Sequence, residues 1–205
     1  MAIEARQPAL RLTWEDDGTV LSLAPLQGHW TEAQYLLLTA QTNRLIEFTD
    51  GALEALPMPT DRHQVIVRTL FLALFAFLQP RGGTVLFAPL RLRIRSGKFR
   101  EPDLLLLRDA ADPRRQRDYW LGADLVIEVI SPDDPERDTV TKRADYAEAR
   151  VPEYWLVDPA GETITVLTLG ETAYVAHGVF RLGEQAASAL LAGFSVSVDA
   201  VFDAA

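Results

Sequence analysis

Two short runs, DLLLLR at 103–108 and DLVIEVI at 124–130, constrain the fold more than anything else in the chain. Segments of this length that are apolar at almost every position read as strands covered on both faces, since an exposed face would show polar alternation. A further run of the same kind, EYWLVD at 153–158, follows a helical stretch expected over Thr139–Ala149. Buried strands separated by a helix belong to an α/β sheet flanked by helices. TVLFAPLRLRI at 84–94 supplies another strand. No helical stretch divides it from the two that follow, so the sheet is expected to be mixed rather than wholly parallel.

Around this core the chain shows shorter elements. LRLTW and TVLSLAP flank the turn EDDG and predict an N-terminal hairpin. HWTEAQYLLLTA predicts a helix capped by Thr31, and RLIEFT with ALEALPMP flank the hairpin signal Asp50-Gly51. Asp61–Gln79 reads as a helix that is apolar almost all round, the pattern of a helix inside the protein. ETITVLTLG and AYVAHGVFRL predict a closing hairpin, and FSVSVDAVF a last short strand and turn. These signals divide the chain into an N-terminal hairpin extension at 1–30 and a single domain at 31–205.

Composition excludes several kinds of chemistry. With no cysteine there is no disulfide framework, thiolate zinc site or cysteine nucleophile, so any metal is held by oxygen or histidine. A formal net charge of -9 opposes nonspecific coating of nucleic acid, although Arg91, Arg93, Arg95, Lys98 and Arg100 crowd one stretch and Arg114, Arg115 and Arg117 another. The longest apolar run, Val65–Leu78, is too short to span a bilayer and contains Arg68. MAIEARQPAL lacks the pattern of a secretory signal. The expectation is a soluble, cytoplasmic protein with no membrane partner.

One side chain disturbs the buried pattern. Read with period two, DLVIEVI places Val126, Glu128 and Ile130 on one face of its strand and Leu125, Ile127 and Val129 on the other. A lone carboxylate on a buried face costs several kcal/mol or stays protonated, so Glu128 requires a cation, a metal or a wet cleft. Asp103, at the start of the neighbouring run, can converge with it. Two converging carboxylates suit a hard divalent cation such as Mg, which keeps waters for a phosphate substrate. They suit equally a strand-end turn for Asp103 and a structural salt bridge for Glu128.

Taken together, RLIEFTDG, HQ before the long helix, EPDLLLL, DLVIEVISP and RDTVTKRADYAEARVPEYWLVDP resemble the Uma-two family of putative restriction endonucleases, a domain of unknown function, over about Thr31–Phe202. That family is similar to the PD-(D/E)XK nuclease superfamily, whose core is a helix, three antiparallel strands, a second helix and a further strand. The resemblance implies a restriction-endonuclease-like core with N-terminal and C-terminal β-hairpin additions. It further implies hydrolysis of phosphodiester bonds of nucleic acid, most of all DNA, by a Mg- or Mn-dependent endonuclease. The usual motif has a lysine two residues after the acid, where this chain has Ile130, and the matching lysine is Lys142 on the following helix. Glu47 and His63 match other recurrent polar positions. The implied catalytic residues are Asp103, Glu128, Lys142, Glu47 and His63, with Asp103, Glu128 and the carbonyl of Val129 on the metal.

Counted at 100° per residue, the helix after Glu128 has Val140, Ala144, Ala147 and Val151 on one stripe and Asp138, Lys142, Tyr146 and Ala149 on the other. The nuclease reading requires the Lys142 stripe to face the sheet, with Tyr146 available to orient the lysine. Arg150 stands where the family has a glycine suited to a left-handed helix end. Ala52 stands where it has an acid. His63 serves metal, water or phosphate, or else merely caps its helix. His29 and His177 read as structural or exposed, and Trp120, Tyr154 and Trp155 as packing. Two other readings stay open: a nuclease-like module that binds without cutting, and a metal-free acid/base hydrolase using the paired carboxylates. The hairpins at both ends point to a homodimer.

Overall fold

The computed structural model describes residues 11–13 and 18–204. Strands β1 (Arg11–Thr13) and β2 (Val20–Ser22) pair antiparallel as the expected hairpin, with residues 14–17 of its turn outside the described residues. A reciprocal capping box between Thr31 and Gln34 starts α1 (Glu32–Thr39). Strands β3 (Ile46–Thr49) and β4 (Ala52–Ala55) turn at Asp50-Gly51, where φ is +46° and +84°. This is the left-handed geometry a two-residue hairpin needs. Thr60 accepts from the His63 N–H to start α2 (Asp61–Leu78).

Next come β5 (Thr84–Phe87), β6 (Leu92–Arg95), β7 (Lys98–Arg100), β8 (Leu104–Leu107) and β9 (Leu125–Val129). A π-helical turn (Arg137–Lys142) runs directly into α3 (Arg143–Glu148). The chain ends with β10 (Glu153–Asp158), β11 (Thr163–Leu169), β12 (Tyr174–Phe180), β13 (Gln185–Ala187), β14 (Ser195–Ser197) and α4 (Val198–Phe202).

The main sheet has six strands in the order β12-β11-β10-β9-β8-β5. Its pairs are antiparallel except β9 and β10, which run parallel because α3 carries the chain back between them. The helix, three antiparallel strands, helix and strand expected from the sequence are therefore α2, β5-β8-β9, α3 and β10. A second sheet, β4-β3-β7-β6, stands beside it.

Both faces of the main sheet are covered. On one, Leu125, Ile127 and Trp155 pack with Ile66, Leu70 and Leu74 of α2 and with α4. On the other, Val126 and Leu156 pack with Tyr146, Tyr154 and Trp120. Each large apolar side chain so buried stabilises the fold by roughly 1.5–3 kcal/mol.

Four expectations need correction. TVLFAPLRLRI is not one strand. The turn at Ala88-Pro89 splits it into β5 of the main sheet and β6 of the second, since proline cannot continue a ladder. The long helix is not buried all round: Ile66, Val67, Leu70, Leu74 and Leu78 face the core, while Leu72 and Phe75 are exposed. The helix before β10 begins at Pro135 rather than Thr139, and its stretch Arg137–Lys142 is π rather than α. The final turn is the short helix α4, capped by Ser197. ETITVLTLG and AYVAHGVFRL do form a hairpin, but as the last two strands at one edge of the main sheet.

Candidate active site

Glu128 lies on the face of β9 that Val126 shares, as the period-two reading requires, and is almost completely buried. The crossover from β9 to β10 lays the π-helical turn and α3 on this same face. Lys142 therefore points inward: its Nζ is 2.9 Å from Glu128 Oε2, 3.1 Å from Asp138 Oδ1 and 4.0 Å from Glu47 Oε1. Asp138, Lys142 and Tyr146 are buried, whereas on the other stripe Val140 and Ala144 are exposed and only Ala147 and Val151 are buried. The Tyr146 hydroxyl donates to Glu128 Oε1, and its ring packs edge-on against Tyr154 at 5.1 Å. Tyr146 orients the acid rather than the lysine.

Asp103 sits just before β8 and closes the other side. Its Oδ2 accepts from the Val129 N–H at 2.8 Å and lies 3.1 Å from His63 Nε2. His63 is thus not merely a capping residue: Thr60 caps its backbone while the imidazole meets Asp103. The imidazole Nδ1 is buried without a hydrogen-bond partner.

Continuing the β8·β9 register past Leu104↔Ile127 sets Val129 opposite Pro102. Proline has no N–H, and the N–H and C=O of one strand residue face the same neighbour, so the Val129 carbonyl faces the β8 side without a backbone donor opposite it.

Glu47 enters from the second sheet. It accepts from the Glu101 N–H at 3.2 Å, lies 3.5 Å from Arg100, and binds Arg137 Nη2 at 2.5 Å. Arg137 bridges from there to Glu54. Arg100 and Lys98 of β7 also grip Asp145 of α3, at 2.7 and 2.8 Å. These ion pairs fasten the second sheet to the helix that carries Lys142. Beside Lys142 they leave a polar cavity of about 290 Å³ lined by Glu47, Glu54, Arg100, Arg137 and Thr141.

The electrostatics follow from burial without solvent. Burial pushes the Glu128 carboxyl well above the usual range, and Asp103 and Asp138 add to this while Lys142 opposes it. Burial would discharge Lys142, but Glu128, Glu47, Asp138 and Asp103 together outweigh it and hold its pKa above the ordinary value. Burial would likewise raise Glu47, yet Lys142, Arg100 and Arg137 bring it below the usual range. Burial keeps Tyr146 protonated, so it remains a donor. One acid is thereby held ionised and another poised near its proton, an arrangement able to bind a cation and to move a proton.

The structure brings together all the residues singled out from the sequence, namely Glu47, His63, Asp103, Glu128, Val129 and Lys142. Sequence reasoning missed Asp138, Arg100 and Arg137 as members of the cluster. Asp138 was within reach of it, being four residues before Lys142 on one helix. Arg137 meets Glu47 only through the tertiary fold, and no local pattern announces that. Arg150 does adopt the left-handed conformation, φ +58°, that the family gives to glycine, at a cost of roughly 1 kcal/mol.

The carboxylates fit a hard divalent cation by their chemistry. Among the described residues no three His, Asp or Glu side chains are grouped to hold a metal.

Comparison with known proteins gives a family match and matches among solved structures. Residues 30–199 match the family model Uma2, described as "Putative restriction endonuclease". The fold resembles the crystal structure of "a putative nuclease belonging to DUF820 from Anabaena variabilis ATCC 29413", with a TM-score of 0.67 and 19% identity over 80% of this chain and 92% of that one. This likeness is one of fold, a restriction-endonuclease-like mixed sheet. No curated protein matches the chain.

Proposed function

Since the chain belongs to the Uma2 family of putative restriction endonucleases, we propose that it is a Mg- or Mn-dependent endonuclease that hydrolyses phosphodiester bonds of DNA. One observation carries the reading. Lys142 reaches Glu128 at 2.9 Å from the helix, filling the role left vacant by Ile130 on the strand.

Asp103, Glu128 and the Val129 carbonyl would hold the ion, which when bound supplies a Lewis acid for a phosphoryl oxygen and for the attacking water. Lys142, charged in its buried setting, orients that water and offsets negative charge building on the phosphate. Tyr146 fixes the Glu128 oxygens in one orientation. Glu47 keeps Lys142 and Arg137 at the edge of the cavity, and His63 braces Asp103.

The test is cleavage of supercoiled plasmid with Mg or Mn by the native chain and by Lys142→Ala and Glu128→Gln, with circular dichroism showing that each variant folds. Native cleavage that EDTA stops and both variants lose is the expected result. Equal cleavage by Lys142→Ala would remove the lysine from the mechanism. EDTA-insensitive cleavage would point to metal-free acid/base chemistry.

A second reading, a nuclease-like module that binds without cutting, is favoured by the closed state of the cluster, where Lys142 already has carboxylates on several sides. Calorimetric titration with Mn separates the two. Heat that Glu128→Gln abolishes supports the metal site, and its absence from the native chain supports the module.

A further inference from the structure

We propose that a second copy of this chain docks on the face formed by α2 and the open edge of β5, joining the two main sheets edge to edge about a two-fold axis. Strand β5 is one of the two outer strands of the six-stranded sheet. Ala88 donates its N–H to Asp103 O, so the alternation of an antiparallel ladder turns the N–H and C=O of Thr84 and Leu86 toward β8. The same groups of Val85 and Phe87 point away from the sheet. The edge thus leaves the N–H and C=O of Val85 and the N–H of Phe87 for a partner, while the Phe87 carbonyl also accepts from the Leu90 N–H at 3.4 Å.

Edges are normally blunted by charge, proline or a bulge. The opposite edge follows this rule, for the pairing of β12 with β11 is broken by a bulge at Val166/Leu167. Thr-Val-Leu-Phe of β5 has none of these devices within it.

Beside this edge lies an apolar ridge. Leu72 is 55% exposed, Phe75 44% and Phe87 52%. Phe71 links them, with its ring 5.8 Å from Phe75 and 5.2 Å from Phe87. By length and composition Asp61–Arg81 could cross a membrane, but the opposite stripe of the helix is packed into the core, which leaves a one-sided surface.

Charge favours a copy of the same chain as the occupant. A molecule with a net charge of -9 repels its own kind, and the repulsion is weakest where acids are missing. No Asp or Glu occurs between Arg62 and Arg100, the stretch that contains α2 and β5. A short antiparallel edge is also self-complementary: Val85 and Phe87 of one copy present what the same residues of the other require, as a two-fold interface demands. This interface stands whether or not the protein cuts nucleic acid.

Light scattering after gel filtration tests it directly. The native chain should show twice the 22.8 kDa mass of one chain, and Leu72→Glu/Phe75→Glu should halve that mass with an unchanged circular dichroism spectrum. Because the chain has no cysteine, Phe87→Cys adds a single thiol that a short bis-maleimide should join across the axis, while Val140→Cys, on the exposed side of the π-helical turn, should stay unlinked. A native monomer at tens of micromolar, or a dimer that survives the double substitution, overturns the proposal. A monomer that sediments with lipid vesicles assigns the ridge to a membrane instead.

Discussion

Glu128 and Glu153 are buried glutamates on the neighbouring parallel strands β9 and β10, yet they are held in opposite ways. Among the described residues Glu153 accepts only from neutral donors on fixed groups: the Trp155 Nε1–H at 2.7 Å, the Ser188 hydroxyl at 2.6 Å and the Leu190 N–H at 2.7 Å. Ser188 and Leu190 so pin the chain around β13 to the sheet. Glu128 meets one phenol and one ammonium, with Asp103 and Asp138 pressing against it. Burial of a carboxylate is therefore no mark of a site. What counts is whether its partners are neutral and fixed, or charged and shared with other acids.

The sharpest way to break this contrast is to neutralise each glutamate. Glu128→Gln should lower plasmid cleavage by about 10³-fold or more while altering the urea midpoint little, since the cluster then has one like charge fewer. Glu153→Ala should do the reverse. It strands buried donors and should lower unfolding free energy by about 3 kcal/mol in urea titration, leaving the cleavage of the folded fraction unchanged.

A third buried glutamate lies between these extremes. Glu101 accepts from the Ile46 N–H at 3.0 Å but stands 3.8 Å from Arg91, and burial together with Glu47 pushes its pKa up to about 8. A folded-state pKa above the unfolded value means that the native state binds the extra proton between about pH 4.5 and 8. Its contribution to stability is complete below that window and falls as pH rises through it, by at most about 1.4 kcal/mol per pH unit. Denaturation at a series of pH values should show this decline, and Glu101→Gln should flatten it. The smallest effect is expected from Tyr146→Phe, which removes one of the donors to Glu128: roughly tenfold slower cleavage, with restoration of full activity by no metal concentration. A variant equal to the native chain would show that the phenol is packing alone.

Much of this was legible in the sequence. Continuous apolar runs announced the buried strands, and period two put Glu128 on an inner face. The same rule could not flag Glu153, because it opens its strand, where a polar residue is unremarkable. Lys142 was found through family resemblance and not through helix geometry. A wheel drawn at 100° per residue left its orientation undecided, and the π-helical turn does not keep that angle. The exposed ridge of α2 was invisible for a different reason: hydropathy records how apolar a face is and says nothing about whether the fold supplies a partner for it.

The seating of the cluster across two sheets has a consequence for the order in which the protein comes into being. Synthesis delivers Glu47, Arg100 and Asp103 first, while Glu128, Arg137 and Lys142 emerge later, and the ion pairs that join them form only when the second sheet docks against α3. An unfinished chain on the ribosome carries the early acids without the lysine that neutralises them. Whatever chemistry the cluster performs is withheld from a nascent chain and begins when the molecule is whole enough to close around it.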